Sequence, residues 1–212
     1  MGFTAEPASG KEIVDAGDAV ISDEEPLGYH PKMGGYPDLH YHLLAGKRMI
    51  KLYHKSDAGI QYWETWDHNG VHTVHWGKLG ERGQSKELKR FFFRSPMKEV
   101  QAQIEEKKAA GYQEIPAEEH HVLLVEYVVQ GMGTTADVDK RHRLEERMSE
   151  TLGWTGLGHC DGGSIGSGTM EVCCYVVDFD TSAKVIEADL RGTEFADYTR
   201  VYRGGAHNGQ AD

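Results

Sequence analysis

The dipeptide Asn69-Gly70 constrains this chain more than any other two residues. It sits between two runs rich in aromatic and β-branched residues, 60–66 and 71–76. A two-residue loop of this kind adopts a type I′ turn, which needs positive φ at both central positions and so selects Asn and Gly. The stretch therefore reads as strand, tight turn, strand. It ends in Trp76-Gly77-Lys78, at the mouth of a loop punctuated by Gly80 and Gly83. An aromatic ring beside a flexible glycine and a cation suits contact with a sugar-phosphate chain.

Around the hairpin the signals are consistent. Residues 48–54 alternate and predict a first strand, and 86–93 a fourth, with Phe91 and Phe93 on one face and Phe92 on the other. Ser95-Pro96 opens a helix, because Ser is a good cap and Pro fits the first helical position. Met97, Val100 and Ile104 form its apolar stripe. Lys107-Lys108 suit its C-terminal dipole and Gly111 ends it. An antiparallel sheet covered by one helix follows.

Tyr62-Trp63-Glu64, the Asn-Gly hairpin, Trp76-Gly77-Lys78, Gly80, Gly83-Gln84-Ser85-Lys86 and the later Lys-Lys-Ala-Ala-Gly-Tyr112 together resemble a WGR domain. Such domains occur in poly(ADP-ribose) polymerases, in bacterial proteins like the molybdate-metabolism regulator, and on some bacterial DNA ligases. The resemblance spans residues 47–115, a third of the chain. It implies that Trp76 packs against a terminal nucleotide's sugar at a strand break and that Lys78 contacts phosphate or a partner. The family's Arg is Lys78 here, which keeps the charge but lacks the planar, bidentate fork. The plainer alternative is that Trp76 closes the hairpin core. Arg82, Lys86, Lys89 and Arg90 continue the basic run, as a phosphate track or as the charged guard of an edge strand. The expected nucleic-acid-binding set is Trp76, Gly77, Lys78, Arg82, Lys86, Lys89 and Arg90.

Charge supports the same division. The chain has 212 residues and a formal net charge of −11. Residues 1–46 carry net −6, 47–115 net +4, and 116–212 net −9. The one basic part of an acidic protein is the WGR-like segment, the sense a DNA-contacting module needs, although +4 is also ordinary surface chemistry.

Residues 1–46 read as an acidic, largely irregular segment, with 39–44 packed on the next domain. Its histidines His30, His40 and His42, and His54 beyond it, lack the spacing of a metal site, so no metal is expected. Residues 116–121 fall in a polar, proline-containing linker. From 122 to 203 the order is strand 122–129, helix 137–152 stopped by Gly153, a short extended piece near 155–160, strand 169–178, helix 181–190 capped by Asp180 or Thr181 and ended by Gly192, and strand 197–203. This βαββαβ order is that of a ferredoxin-like α+β sandwich. The domain is similar to one in uncharacterised bacterial proteins, through its glycine-rich stretch 158–168. Residues 204–212 form a tail.

The glycine-rich stretch 156–168 joins two strands rather than opening a helix, so bulges and turns explain it better than a phosphate loop does. His159-Cys160-Asp161 points alternately along a strand and lacks a second set of partners, so no catalytic residue is expected. Three cysteines cannot all pair, and Cys173 and Cys174 should face opposite ways, which suggests a reducing compartment. The start lacks the pattern of a signal peptide, and the apolar runs are too short to span a membrane. The sequence thus predicts a cytoplasmic, bacterial, non-enzymatic α+β protein without cofactor. Its WGR-like module would bind DNA, at ends or nicks, and its acidic domain would mediate protein contacts or homodimerisation. The alternative is a protein-interaction module without nucleic-acid affinity.

Overall fold

A computed structural model describes residues 49–88 and 96–205. Among the described residues the chain is a mixed α/β protein, with two four-stranded antiparallel sheets and three α-helices. None of the described helices is long and apolar enough to cross a membrane.

The first sheet has the order β1 (Ile50–Ser56), β2 (Gly59–His68), β3 (Val71–Lys78) and β4 (Gln84–Leu88). Asn69 and Gly70 both have positive φ, at 52° and 80°, as the two-residue turn requires. The turn pairs His68 with Val71, and two-residue alternation then decides every face of the hairpin. Ile50, Leu52, Trp63, Val74, Trp76 and Leu88 fall on one face. There they meet Val100 and Ile104 of α1 (Pro96–Ala109). Tyr53, Tyr62, Glu64, Trp66 and His75 fall on the other.

The second sheet has the order β6-β7-β5-β8, from β5 (His121–Val128), α2 (Thr135–Trp154), β6 (Gly158–Gly166), β7 (Thr169–Val176), α3 (Phe179–Leu190) and β8 (Arg200–Arg203). Leu123, Val125 and Tyr127 pair with Cys174, Val172 and Met170, and this apolar face is covered by α2 and α3. Arg147 of α2 holds Asp189 of α3 through a two-pronged contact of 2.8 and 3.0 Å.

Several expected boundaries move, each for a local reason. The first strand runs 50–56, because its ladder with β2 starts at Ile50 and is closed by the Ser56–Gly59 pair. The fourth strand begins at Gln84. The expected strand positions 91–93 and the cap at 95 lie outside the described residues, as do the readings made for 1–46. Met97 is 61% exposed, since the helix meets the core only from Val100 onward. The start of α2 moves to 135 because Thr134 and Asp137 form a reciprocal capping box. Its end is at Trp154, not before Gly153. Gly156, with φ 73°, takes the left-handed position, and Leu157 N–H closes back on the Leu152 carbonyl. The cap of α3 is Asp178, whose carboxylate accepts from Thr181 N–H at 2.9 Å, rather than Asp180 or Thr181. Most of the glycine-rich stretch is strand β6, with a bulge between Cys160 and Gly163. The last strand is shortened to 200–203.

Candidate nucleic-acid interface

The hairpin register places the landmark residues. Trp76 lies opposite Trp63 and Gln84, and Lys78 lies opposite Gln61, all on the face that carries α1. Lys86 pairs with Val74 and shares this face. Trp76 is half-buried, one side packed on the core of α1 and the sheet. Lys78 is exposed and its ammonium lies 3.6 Å from the equally exposed Glu81 carboxylate. Such a pair is worth little in water and exchanges readily.

The same end of the sheet gathers residues that the spacing of motifs did not single out. His54 pairs with Gln61 and stacks on Tyr112, with ring centroids 5.1 Å apart. The Tyr112 hydroxyl donates to Gln61 Oε1 at 2.8 Å, and the Lys107 ammonium lies 5.1 Å from the Tyr112 ring centre. Lys78 and Lys86 thus share the face of Trp76, and Lys107 stands over Tyr112, which packs on the same core. Part of this was readable beforehand, because an Asn-Gly loop puts Gln61 opposite Lys78 by counting back from the turn. The contribution of Tyr112 depends on where α1 delivers the chain, which alternation does not tell.

Arg82 is not part of this group. Its carbonyl lies 2.6 Å from Nε2 of buried His75, so this residue's backbone belongs to the opposite face, where the first sheet meets the second unit. Gly77 has a structural role: a β-carbon there would stand 2.7 Å from Gly83 Cα and 2.9 Å from the Tyr62 hydroxyl. Lys89 and Arg90 lie outside the described residues.

The opposite face explains the glycine loop. Leu79 is buried in the core of the second unit, and Gly80 N–H donates to the Thr155 carbonyl at 2.9 Å. A β-carbon on Gly80 would stand 2.7 Å from Thr181, and one on Gly156 would stand 2.4 Å from the Tyr62 ring. The Tyr53 hydroxyl donates to the Gly156 carbonyl at 2.9 Å. Trp154 stands edge-on to both Trp66 and His75. The loop that a motif reading assigns to a ligand is therefore a clamp within the chain.

Under the clamp lies a buried polar cluster. His75 Nδ1 is 2.7 Å from Glu64 Oε1, and His75 Nε2 is 2.6 Å from the Arg82 carbonyl and 3.1 Å from the Tyr62 hydroxyl. Both ring nitrogens face acceptors, and Lys51 lies 3.1 Å from the second Glu64 oxygen. Burial, then the Glu64 and Glu81 charges, push the Tyr62 hydroxyl well above its ordinary range. Although it has the parts of a relay, this cluster is sealed, with Glu64 and His75 at 0% and 1% exposure. It fastens the two sheets together.

In the second unit, His159 faces Tyr175 on the open side of the sheet, while Cys160 faces Cys174 under the helices. The two do not converge. The Cys173 thiol is pushed up by burial and by the Asp161 and Glu171 carboxylates, away from the nucleophilic form. Among the described residues no three His, Cys, Asp or Glu side chains come together to hold a metal. No protein-family model, curated protein or solved structure matches the chain.

Proposed function

We propose that the chain is a non-catalytic nucleic-acid-binding protein. Its first unit acts as a WGR-like module contacting DNA, at ends or nicks, and its acidic second unit is a ferredoxin-like accessory for protein contacts. One observation carries the reading: Trp76, Lys78, Gln84 and Lys86 share the helix-bearing face of the first sheet, with Lys107 over the Tyr112 ring that packs on the same core. The acidic unit is fastened to the other face, which leaves the basic side outward. The groups offered are ammonium and amide tips with one aromatic edge, a composition that suits a sugar-phosphate backbone better than base edges. The strand order β6-β7-β5-β8 supports the ferredoxin-like part of the reading.

Fluorescence anisotropy with blunt, nicked and 5′-phosphorylated duplexes at several salt concentrations tests this. With the three lysines on phosphates, log affinity falls with log salt at a slope of about −3. Trp76→Ala weakens binding to ends more than to continuous duplex. Absence of binding to every duplex at low salt overturns the proposal in favour of a protein-docking module.

A further inference from the structure

Cys160 and Cys174 lie directly opposite each other in the β6–β7 ladder and are joined by a disulfide on the helix-covered face. Cys174 is sealed in the core, whereas Cys160 is half-buried. The next step of the register after Cys160 is the bulge that runs to Gly163. That bulge is held from α2: Ser149 Oγ accepts from Cys160 N–H at 3.2 Å, and Glu145 Oε1 accepts from Gly162 N–H at 3.1 Å. The same helix ends in Trp154, and Trp154, Thr155 and Gly156 are the strip on which the first sheet rests. The cross-link, the bulge, the helix and the junction form one mechanical series.

We propose that the Cys160–Cys174 bond is a reversible staple, opened by a dithiol reductant and closed by a small-molecule disulfide, whose state sets how firmly the two sheets hold each other. A reductant thiolate attacks Cys160 Sγ, the more accessible sulfur. The Sγ–Sγ bond breaks, and Cys174 leaves as a thiolate and takes a proton. The reductant's second thiolate then attacks the mixed disulfide. Cys160 is released and protonated, and the reductant departs as its own disulfide. Two electrons and two protons have passed to the protein. Closure by oxidised glutathione is the reverse, two molecules of the reduced thiol leaving. Cys173 takes no part, because alternation points it through the other face of β7.

The test uses the full chain, with Cys173→Ser beside wild type, equilibrated at different ratios of reduced to oxidised glutathione and also with dithiothreitol. Thiols are counted by maleimide labelling after acid quench and denaturation, while melting and tryptophan emission are followed. Two thiols are expected to appear and disappear together and reversibly, with one further constant thiol in wild type. The bonded cysteines stand 14 positions apart, so opening the loop should lower the melting temperature by about 10 °C. Emission from Trp66 and Trp154, now buried, should shift to the red as the junction loosens. Failure to pair in excess oxidised glutathione overturns the proposal. So does a bond that dithiothreitol cannot open without denaturant, or an opening that leaves melting and emission unchanged.

Discussion

Glu64 and His75 show how a polar pair earns its place inside a protein. They are cross-strand partners whose side chains are held under Trp154, and each is fully enclosed. A buried charge without its partner is costly, whereas a pair replaced by apolar groups of similar size is tolerated. His75→Leu takes a buried hydrogen-bond partner from Glu64, which keeps Lys51, and is expected to destabilise the protein by about 2 kcal/mol in urea unfolding. Adding Glu64→Leu should recover part of that loss rather than double it. Equal and additive losses would mean that the two side chains act independently. The pairing was legible once the Asn-Gly turn was read, because the register puts residue 64 opposite 75. Their burial was not, since either face of a lone hairpin looks equally open until something covers it.

Between Lys78 and Gly83 the chain acts as a clamp, and Leu79 is its tooth. Leu79→Ala removes a side chain from the shared core without touching Trp76 or Lys78, and should cost about 2–3 kcal/mol in urea unfolding. DNA affinity at a temperature where the variant is folded should be unchanged. Loss of affinity would place the clamp itself in the interface. Helix α3 begins at Asp178, where burial works against the carboxylate. The Thr181 side-chain and backbone hydrogen bonds, with the His121 and Arg203 charges, outweigh it and lower the pKa below its ordinary value of 3.8. A lowered carboxyl stabilises the fold fully above its unfolded value, and that contribution is lost as the pH falls through the folded one. The stability difference between wild type and Asp178→Asn should thus be largest near neutral pH and shrink below about pH 4. A pH-independent difference would assign the effect to packing. The sequence showed an acidic helix start and pointed to Asp180 or Thr181, whereas the cap is Asp178. The choice depends on which backbone leaves the helical region first, and β7 decides that by running to Val176.

The first sheet packs one face on α1 and shares the core of the second sheet through its other face. Tyr53, Tyr62 and Leu79 of the first unit belong to the same apolar cluster as Leu123, Val172 and Ile186 of the second. Unfolding followed by tryptophan emission and by far-ultraviolet circular dichroism should give coincident transitions. Two resolved transitions would show that the junction yields first. By itself the sequence determined what depends on neighbours along the chain: the turn at Asn69-Gly70, the alternation that sorts each strand's faces, the Val100–Ile104 apolar face of α1 and the βαββαβ order. It also placed Trp76 and Lys78 on one face, because they stand two residues apart on one strand, whereas the register of Lys86 against Val74 came from the structure. Only the tertiary structure decided which face of the first sheet would be covered. It set the Arg82 carbonyl on His75, drove Leu79 into a second core, and brought Cys160 against Cys174. Those outcomes depend on contacts between residues tens of positions apart, or on a bulge one residue long, and neither leaves a periodic trace in the sequence.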